Sequence, residues 1–201
     1  MLFNIQDLQR LNYNDTLKIQ QDLQQQVAIN RVNDHLIFVE HDHVYTLGKN
    51  ANSNNILNDK CNVVKTNRGG DVTYHGPGQI VIYPIFNLKK KNIGVKTYVK
   101  KIEEVIKLTL ADFKIDSHVP YKETGVWTNN KKIASIGIHV SRGITMHGLA
   151  INVSTDLSFF DHIVSCGIEG VEMTSIEKEL GKKIPMNDIK TTVTKYFNQL
   201  F

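Results

Sequence analysis

Cysteine is scarce in this 201-residue chain. Cys61 and Cys166 are its only two, too few for the disulfide framework that staples small secreted domains. Long apolar runs are lacking as well, and no stretch approaches the roughly 20 residues needed to cross a bilayer. The opening Met1-Leu2-Phe3-Asn4-Ile5-Gln6-Asp7 has neither the basic region and apolar core of a secretory signal nor the arginines of a transit peptide. These absences predict a soluble, cytoplasmic protein that starts at Met1 and engages no membrane. An excess of one charge is missing too. The formal net charge of +4 mildly favours acidic partners and falls short of a nucleic-acid footprint. The runs Lys89-Lys90-Lys91 and Lys100-Lys101 read as solvated faces. With no internal repeat or low-complexity linker, residues 1–201 are expected to form a single domain, long enough to bury about 70% of its unfolded surface.

The patterns that are present predict an α+β fold. Asn14 to Arg31 is expected to be helical, with Leu17, Leu23 and Val27 on one face and glutamines outside it. His35 to His41, Val44 to Leu47 and Val63 to Thr66 read as strands. Val95 to Phe113 keeps a 3.6-residue apolar period over five turns and is the clearest helix. Gly125 to Thr128 and Lys132 to Ser141 are predicted strands joined by a tight hairpin at Asn129-Asn130, and Ile144 to Ser154 continues the sheet. Thr174-Ser175-Ile176-Glu177 has capping-box spacing before a short helix ending at Gly181, and Asn187 is placed to cap a last helix through Leu200. Strands grouped between a first and a last set of helices indicate α+β rather than a regular βαβ alternation.

The most informative segment runs Arg68-Gly69-Gly70-Asp71-Val72-Thr73-Tyr74-His75-Gly76-Pro77-Gly78-Gln79, followed by apolar Ile80 to Phe86. Four glycines and a proline in twelve residues specify backbone that turns tightly or lies against a ligand; a pair of ordinary turns around a short strand fits the same residues. Cys166 lies in Ser165-Cys166-Gly167-Ile168-Glu169-Gly170, where a following glycine leaves room for a substrate. A free thiol is only a few per cent ionised at neutral pH, so a nucleophilic cysteine needs a nearby cation or helix N-terminus. Lys132 is a candidate cation. It opens an apolar strand as the inward charge while Lys131 points to the opposite face, although a solvent-exposed lysine at a hairpin end fits too. His139, His147 and His162 offer a competing Cys-His arrangement. His41 and His43 beside Asp42 lack the companions of a metal site, so no metal is expected, and Cys61 reads as structural.

Five ordered blocks carry a further signal. They are Val44-Tyr45-Thr46-Leu47-Gly48-Lys49; the Arg68 to Gln79 run with Tyr83-Pro84-Ile85; Lys132-Ile133-Ala134-Ser135-Ile136-Gly137; His147-Gly148-Leu149-Ala150-Ile151-Asn152; and Cys166-Gly167-Ile168 followed by Thr174-Ser175. Together they resemble the lipoyl(octanoyl) transferase family, the octanoyltransferases of lipoate biosynthesis, whose fold is similar to that of biotin and lipoate protein ligases, which implies a mixed sheet. The resemblance implies transfer of octanoyl from octanoyl-acyl carrier protein to a lysine ε-amine on lipoyl domains, those of 2-oxoacid dehydrogenase complexes and the glycine cleavage H protein. It implies that Cys166 carries the acyl group and that Lys132 lowers its pKa and moves protons. It also implies that Arg68, Gly69, Gly70, Asp71, Val72, Thr73, Tyr74, His75, Ser135, Ile136, Gly137, Gly148, Leu149 and Ala150 line the acyl site. Ser165 and His43 stand where the family commonly has proline, which bears on loop stiffness and on how Cys166 is presented.

Passing an acyl group from thioester to amide is downhill, so the implied reaction calls for no cofactor, neither ATP nor a metal. Two other readings use the same residues. A lipoate or biotin protein ligase would activate a free acid with ATP, and a scaffold that only binds lipoyl domains would not need Cys166.

Overall fold

The computed structural model describes residues 3–58, 60–121 and 123–201; the start expected at Met1 lies outside them. In chain order its elements are β1 (Asn4–Arg10), α1 (Tyr13–Ala28), β2 (His35–Glu40), β3 (Val44–Leu47), β4 (Val63–Lys65), β5 (Val72–His75), β6 (Gln79–Ile85), α2 (Val95–Asp112), β7 (Val126–Thr128), β8 (Lys131–Ser141), β9 (Ile144–Asn152), α3 (Ile176–Leu180) and α4 (Met186–Leu200). They form a six-stranded sheet ordered β1-β2-β6-β9-β8-β7 and a three-stranded sheet ordered β4-β3-β5. Both sheets are mixed, with β1 parallel to β2 and β4 parallel to β3. The predicted α+β class therefore holds.

The central strands are apolar on both faces because both faces are covered. In β2, Leu36 and Phe38 join Ile80 and Ile82 of β6 against α2 and α4, where Ile102, Ile106, Val193 and Phe197 pack. The alternate residues Ile37, Val39, Val81 and Tyr83 face α1 through Leu23 and Val27. That two-sided burial explains why the β2 and β6 sequences read as continuous apolar runs rather than alternations. The small sheet closes over a third cluster that includes Tyr45, Val72, Tyr74, Phe160 and Met173.

Several local expectations need correction. Strand β1 was not expected, because as an edge strand it is mostly exposed and polar and carries no burial period. Helix α1 ends at Ala28 rather than Arg31 because Asn30 takes a left-handed conformation at φ 59°. Its glutamines do not all lie outside the buried face. Gln20 is fully buried and its Oε1 accepts from the His147 N–H at 2.9 Å. Ser175, not Thr174, caps α3 by accepting from the Lys178 N–H at 3.2 Å. Thr174 is still engaged in extended pairing, its N–H donating to the Lys132 carbonyl at 2.9 Å. Helix α4 starts directly after Pro185, whose φ of −58° already turns the chain, so Asn187 sits inside the first turn and caps nothing.

Close packing in the central sheet makes Gly148 indispensable. A Cβ there would lie 2.1 Å from the Ile82 carbonyl oxygen and 2.7 Å from Pro84 Cδ on the neighbouring β6. Gly148→Ala is expected to destabilise the protein by about 1–3 kcal/mol through forced separation of the two strands, measurable as a lower urea midpoint.

Candidate functional site

The turn Ser165–Gly167 holds Cys166 at φ 59°, ψ 15° and Gly167 at φ 70°. A left-handed cysteine is strained by about 1 kcal/mol or more unless its surroundings fix it. Here Gly167 N–H donates to the Val164 carbonyl at 3.0 Å, Ile168 N–H to Ser165 at 3.1 Å, and Val164 N–H to Asn55 at 2.8 Å. Asn55 also reaches the glycine-rich segment, donating from Nδ2 to Asp71 Oδ2 at 2.7 Å. Asp71 packs so tightly against Gly167 that a Cβ on the glycine would meet its carboxylate at 2.8 Å.

Lys132 reaches the same point from the β7–β8 hairpin. Asn129 and Asn130 both adopt positive φ, 46° and 60°, as the predicted tight turn requires. Lys132 N–H donates to the Glu172 carbonyl at 2.8 Å, and its carbonyl accepts from Thr174 N–H at 2.9 Å. This pairing stitches the lysine to the chain just beyond the cysteine turn. The Lys132 side chain turns inward, leaving the residue 1% exposed, and Nζ donates to Cys166 Sγ at 3.1 Å. Lys131 faces the other way and pairs with Glu172 at 3.1 Å, as the strand alternation predicts.

The two groups open onto a cavity of about 300 Å3. Of the residues expected at an acyl site, Arg68, Gly70, Asp71, Val72, Thr73, His75, Ser135, Ile136, Gly137, Gly148, Leu149 and Ala150 line this cavity beside Lys132 and Cys166. Gly69 and Tyr74 do not. Gly69 is spent on backbone pairing, its N–H donating to Ile138 at 2.8 Å. The Tyr74 ring turns to the far side of β5, stacking on Phe159 at 5.0 Å. Tyr13, Val81, Tyr83, Glu123, Thr124, His147 and Ile168 complete the lining; Tyr83, His147 and Ile168 stand in the ordered blocks without being assigned to the acyl site, while Tyr13, Val81, Glu123 and Thr124 gave no signal.

Arg68 is buried on the cavity wall. Its guanidinium donates to Thr46 Oγ1 at 2.9 and 3.2 Å, to the Thr46 carbonyl at 2.6 Å and to Gly69 at 3.0 Å. Burial lowers its pKa from the ordinary value, while Tyr13, Cys166, Tyr83 and Asp71 act the other way. The buried histidines around it are neutral. Burial holds His75 and His147 down to about 3 and His41 to about 4. Tyr13 is pushed up to about 12 by the same cause. Each histidine is engaged: His75 Nδ1 with Gln79 Oε1 at 2.7 Å, His41 Nε2 with the Tyr83 hydroxyl at 2.8 Å, and His147 Nε2 with Asn67 Oδ1 at 2.7 Å. Of the histidines considered as partners for Cys166, His147 is thus turned to Asn67, His162 lies 2.8 Å from the Tyr45 hydroxyl and His139 pairs across the sheet with Met146. His43 Nδ1 lies 2.8 Å from the Tyr74 hydroxyl.

These buried histidines tie stability to pH. Their folded pKa values lie below the unfolded value near 6.5, so between about pH 3 and 6.5 the unfolded chain binds more protons and stability falls as pH falls. Each histidine contributes a slope of up to about 1.4 kcal/mol per pH unit. Urea unfolding at stepped pH is expected to weaken below about 6.5, and His75→Gln to flatten that slope; an unchanged slope would mean the imidazole is protonated in the native state.

The chain matches the family model for the lipoyl protein ligase A/B catalytic domain over residues 12–198. It is 41% identical to the octanoyltransferase of Geotalea uraniireducens, with 96% of this chain and 91% of that protein covered. It is also 41% identical to that of Alkaliphilus metalliredigens, covering 100% and 96%. Among solved structures, a bipartite lipoate protein ligase from Thermoplasma acidophilum superposes with a TM-score of 0.73 at 14% identity, covering 100% of this chain and 84% of that one. Biotin protein ligase from Aquifex aeolicus superposes with a TM-score of 0.58 at 12% identity, covering 99% and 69%. The two structures establish the fold, and the sequence relatives establish more: this chain belongs to the octanoyltransferase family.

Proposed function

We propose that residues 1–201 form one cytoplasmic octanoyltransferase domain in which Cys166 carries the acyl group and Lys132 handles its protons. The observation that carries this reading is the 3.1 Å contact between Lys132 Nζ and Cys166 Sγ at the mouth of the cavity. An ammonium so close favours the thiolate over the thiol. The thiolate attacks the thioester carbonyl of octanoyl-acyl carrier protein, forming a new C–S bond as the donor's C–S bond breaks. The departing thiolate takes a proton from the Lys132 ammonium. A lysine ε-amine of a lipoyl domain then attacks the acyl-cysteine, gives up a proton to the now neutral Lys132 and expels the Cys166 thiolate, which restores the starting state.

The cavity supports the substrate class. Ile136, Leu149 and Val81 supply apolar wall, and the His75 and His147 imidazoles that also line the cavity are neutral. Arg68, fixed by Thr46 and Gly69, adds a second buried cation near the reacting carbonyl. The acceptors consistent with the family are the lipoyl domains of 2-oxoacid dehydrogenase complexes and the glycine cleavage H protein.

Incubation with octanoyl-acyl carrier protein without ATP, followed by intact mass measurement, is expected to reveal one octanoyl increment. Cys166→Ala should lose it, and Lys132→Ala should form it about 100- to 10,000-fold more slowly. An increment that survives Cys166→Ala, or transfer that needs ATP and free acid, would refute the scheme.

A further inference from the structure

Trp127 lies directly opposite Lys132 in the β7–β8 register, so their side chains share one face of the hairpin. Lys132 Nζ sits 4.4 Å from the centre of the Trp127 ring. The tryptophan is itself fixed from behind, its main chain exchanging two 2.9 Å hydrogen bonds with His118. Trp127 is 4% exposed and Lys132 1%. The ammonium therefore rests between two surfaces, sulfur on one side and the indole face on the other.

A lysine tail has four rotatable bonds, and one hydrogen bond to sulfur does not hold it in place. The negative face of an aromatic ring attracts an ammonium and not a neutral amine, most strongly where water is excluded. It does so without accepting a conventional hydrogen bond, so the N–H donors stay available for sulfur and for the reacting groups. A carboxylate in the same position would attract the ammonium too, but it would repel the thiolate.

We propose that Trp127 is a positioning residue for acyl transfer, its indole face holding the Lys132 side chain as an ammonium directed at Cys166. This inference rests on the roles proposed above for Cys166 and Lys132. Among the described residues, the other charged groups around the pair are Arg68 and Asp71 from the glycine-rich segment and Glu123 on the cavity wall. Glu172 is held by Lys131, and Glu103 of α2 accepts from the Gly125 backbone.

Trp127 is the sole tryptophan of the chain, so biosynthetic incorporation of mono-, di- and tetrafluorotryptophan alters this ring alone. Each fluorination step weakens the π face while nearly preserving its shape. The measurements are the pH profile of iodoacetamide alkylation at Cys166, read by peptide mass to separate it from Cys61, and the rate of octanoyl-enzyme formation. Along the series, reactivity at neutral pH is expected to fall stepwise, by roughly 3- to 30-fold at the tetrafluoro end, with the profile moving to higher pH and the melting temperature holding. Trp127→Phe should recover most of the reactivity that Trp127→Leu loses. A flat fluorination series overturns the inference. If Lys132→Ala shifts the profile while the series stays flat, only the role of Trp127 falls; if Lys132→Ala also leaves it unmoved, the underlying assignment falls with it.

Discussion

The site depends on two backbone hydrogen bonds that bracket Lys132, one to the Glu172 carbonyl and one from the Thr174 N–H. Lys132 and Cys166 are 34 residues apart, and the chain between them runs the length of β8, back along β9 and out through the turns after Asn152. Nothing local to either residue brings them together. The extended segment at Met173 pairs in parallel with the first residues of β8, and this pairing converts two distant loops into one rigid frame. Burying an ammonium incurs a desolvation penalty of several kcal/mol, so such a frame persists only where the charge meets partners immediately, here sulfur and an aromatic face.

The cysteine turn presents the complementary problem. Left-handed geometry at Cys166 projects the sulfur out of the turn, and the strain is held by Asn55, which bonds both the Val164 N–H and the Asp71 carboxylate. Asp71 thereby links the glycine-rich segment to the Cys166 turn, and glycine is the only residue type that meets both the φ of position 167 and its contact with that carboxylate. Lys132, Arg68, Asp71 and Glu123 bring charge to the cavity wall, while desolvation, helped by the Arg68 charge, keeps His75 and His147 neutral.

Much of this was legible in the sequence because it rests on short-range rules. Alternation assigned Lys132 and Lys131 to opposite faces, Asn129-Asn130 marked the hairpin, and the glycine-rich run marked a wall of the cavity. What escaped depends on contacts between residues far apart in the chain. Gln20 reads as a surface glutamine of a polar helix face, yet it is buried to satisfy the backbone of His147 on β9. Asn67 and Asn55 carry no local mark at all. Tyr74 was assigned to the site through membership of a block, but in a strand only alternate residues can face one side, and the ring went to the small sheet. Strand β1 escaped for the opposite reason, since an exposed edge imposes no apolar period.

Fold likeness to the ligases at 12–14% identity cannot by itself specify the chemistry, because one scaffold hosts different reactions through differences in a few loops. In this chain the cysteine turn forms part of the cavity wall, and its exposure bears on the proposed scheme. Cys166 is half-buried while its lysine neighbour is almost fully enclosed. The donor arm and acceptor amine of the proposed reaction would both have to reach that one sulfur. On that proposal the two partners take turns at Cys166, and the acyl-cysteine is the form that bridges their visits. Access thus supports the proposed acyl-cysteine alongside nucleophilicity, with the apolar wall of Ile136, Leu149 and Val81 available to the tail between the two visits.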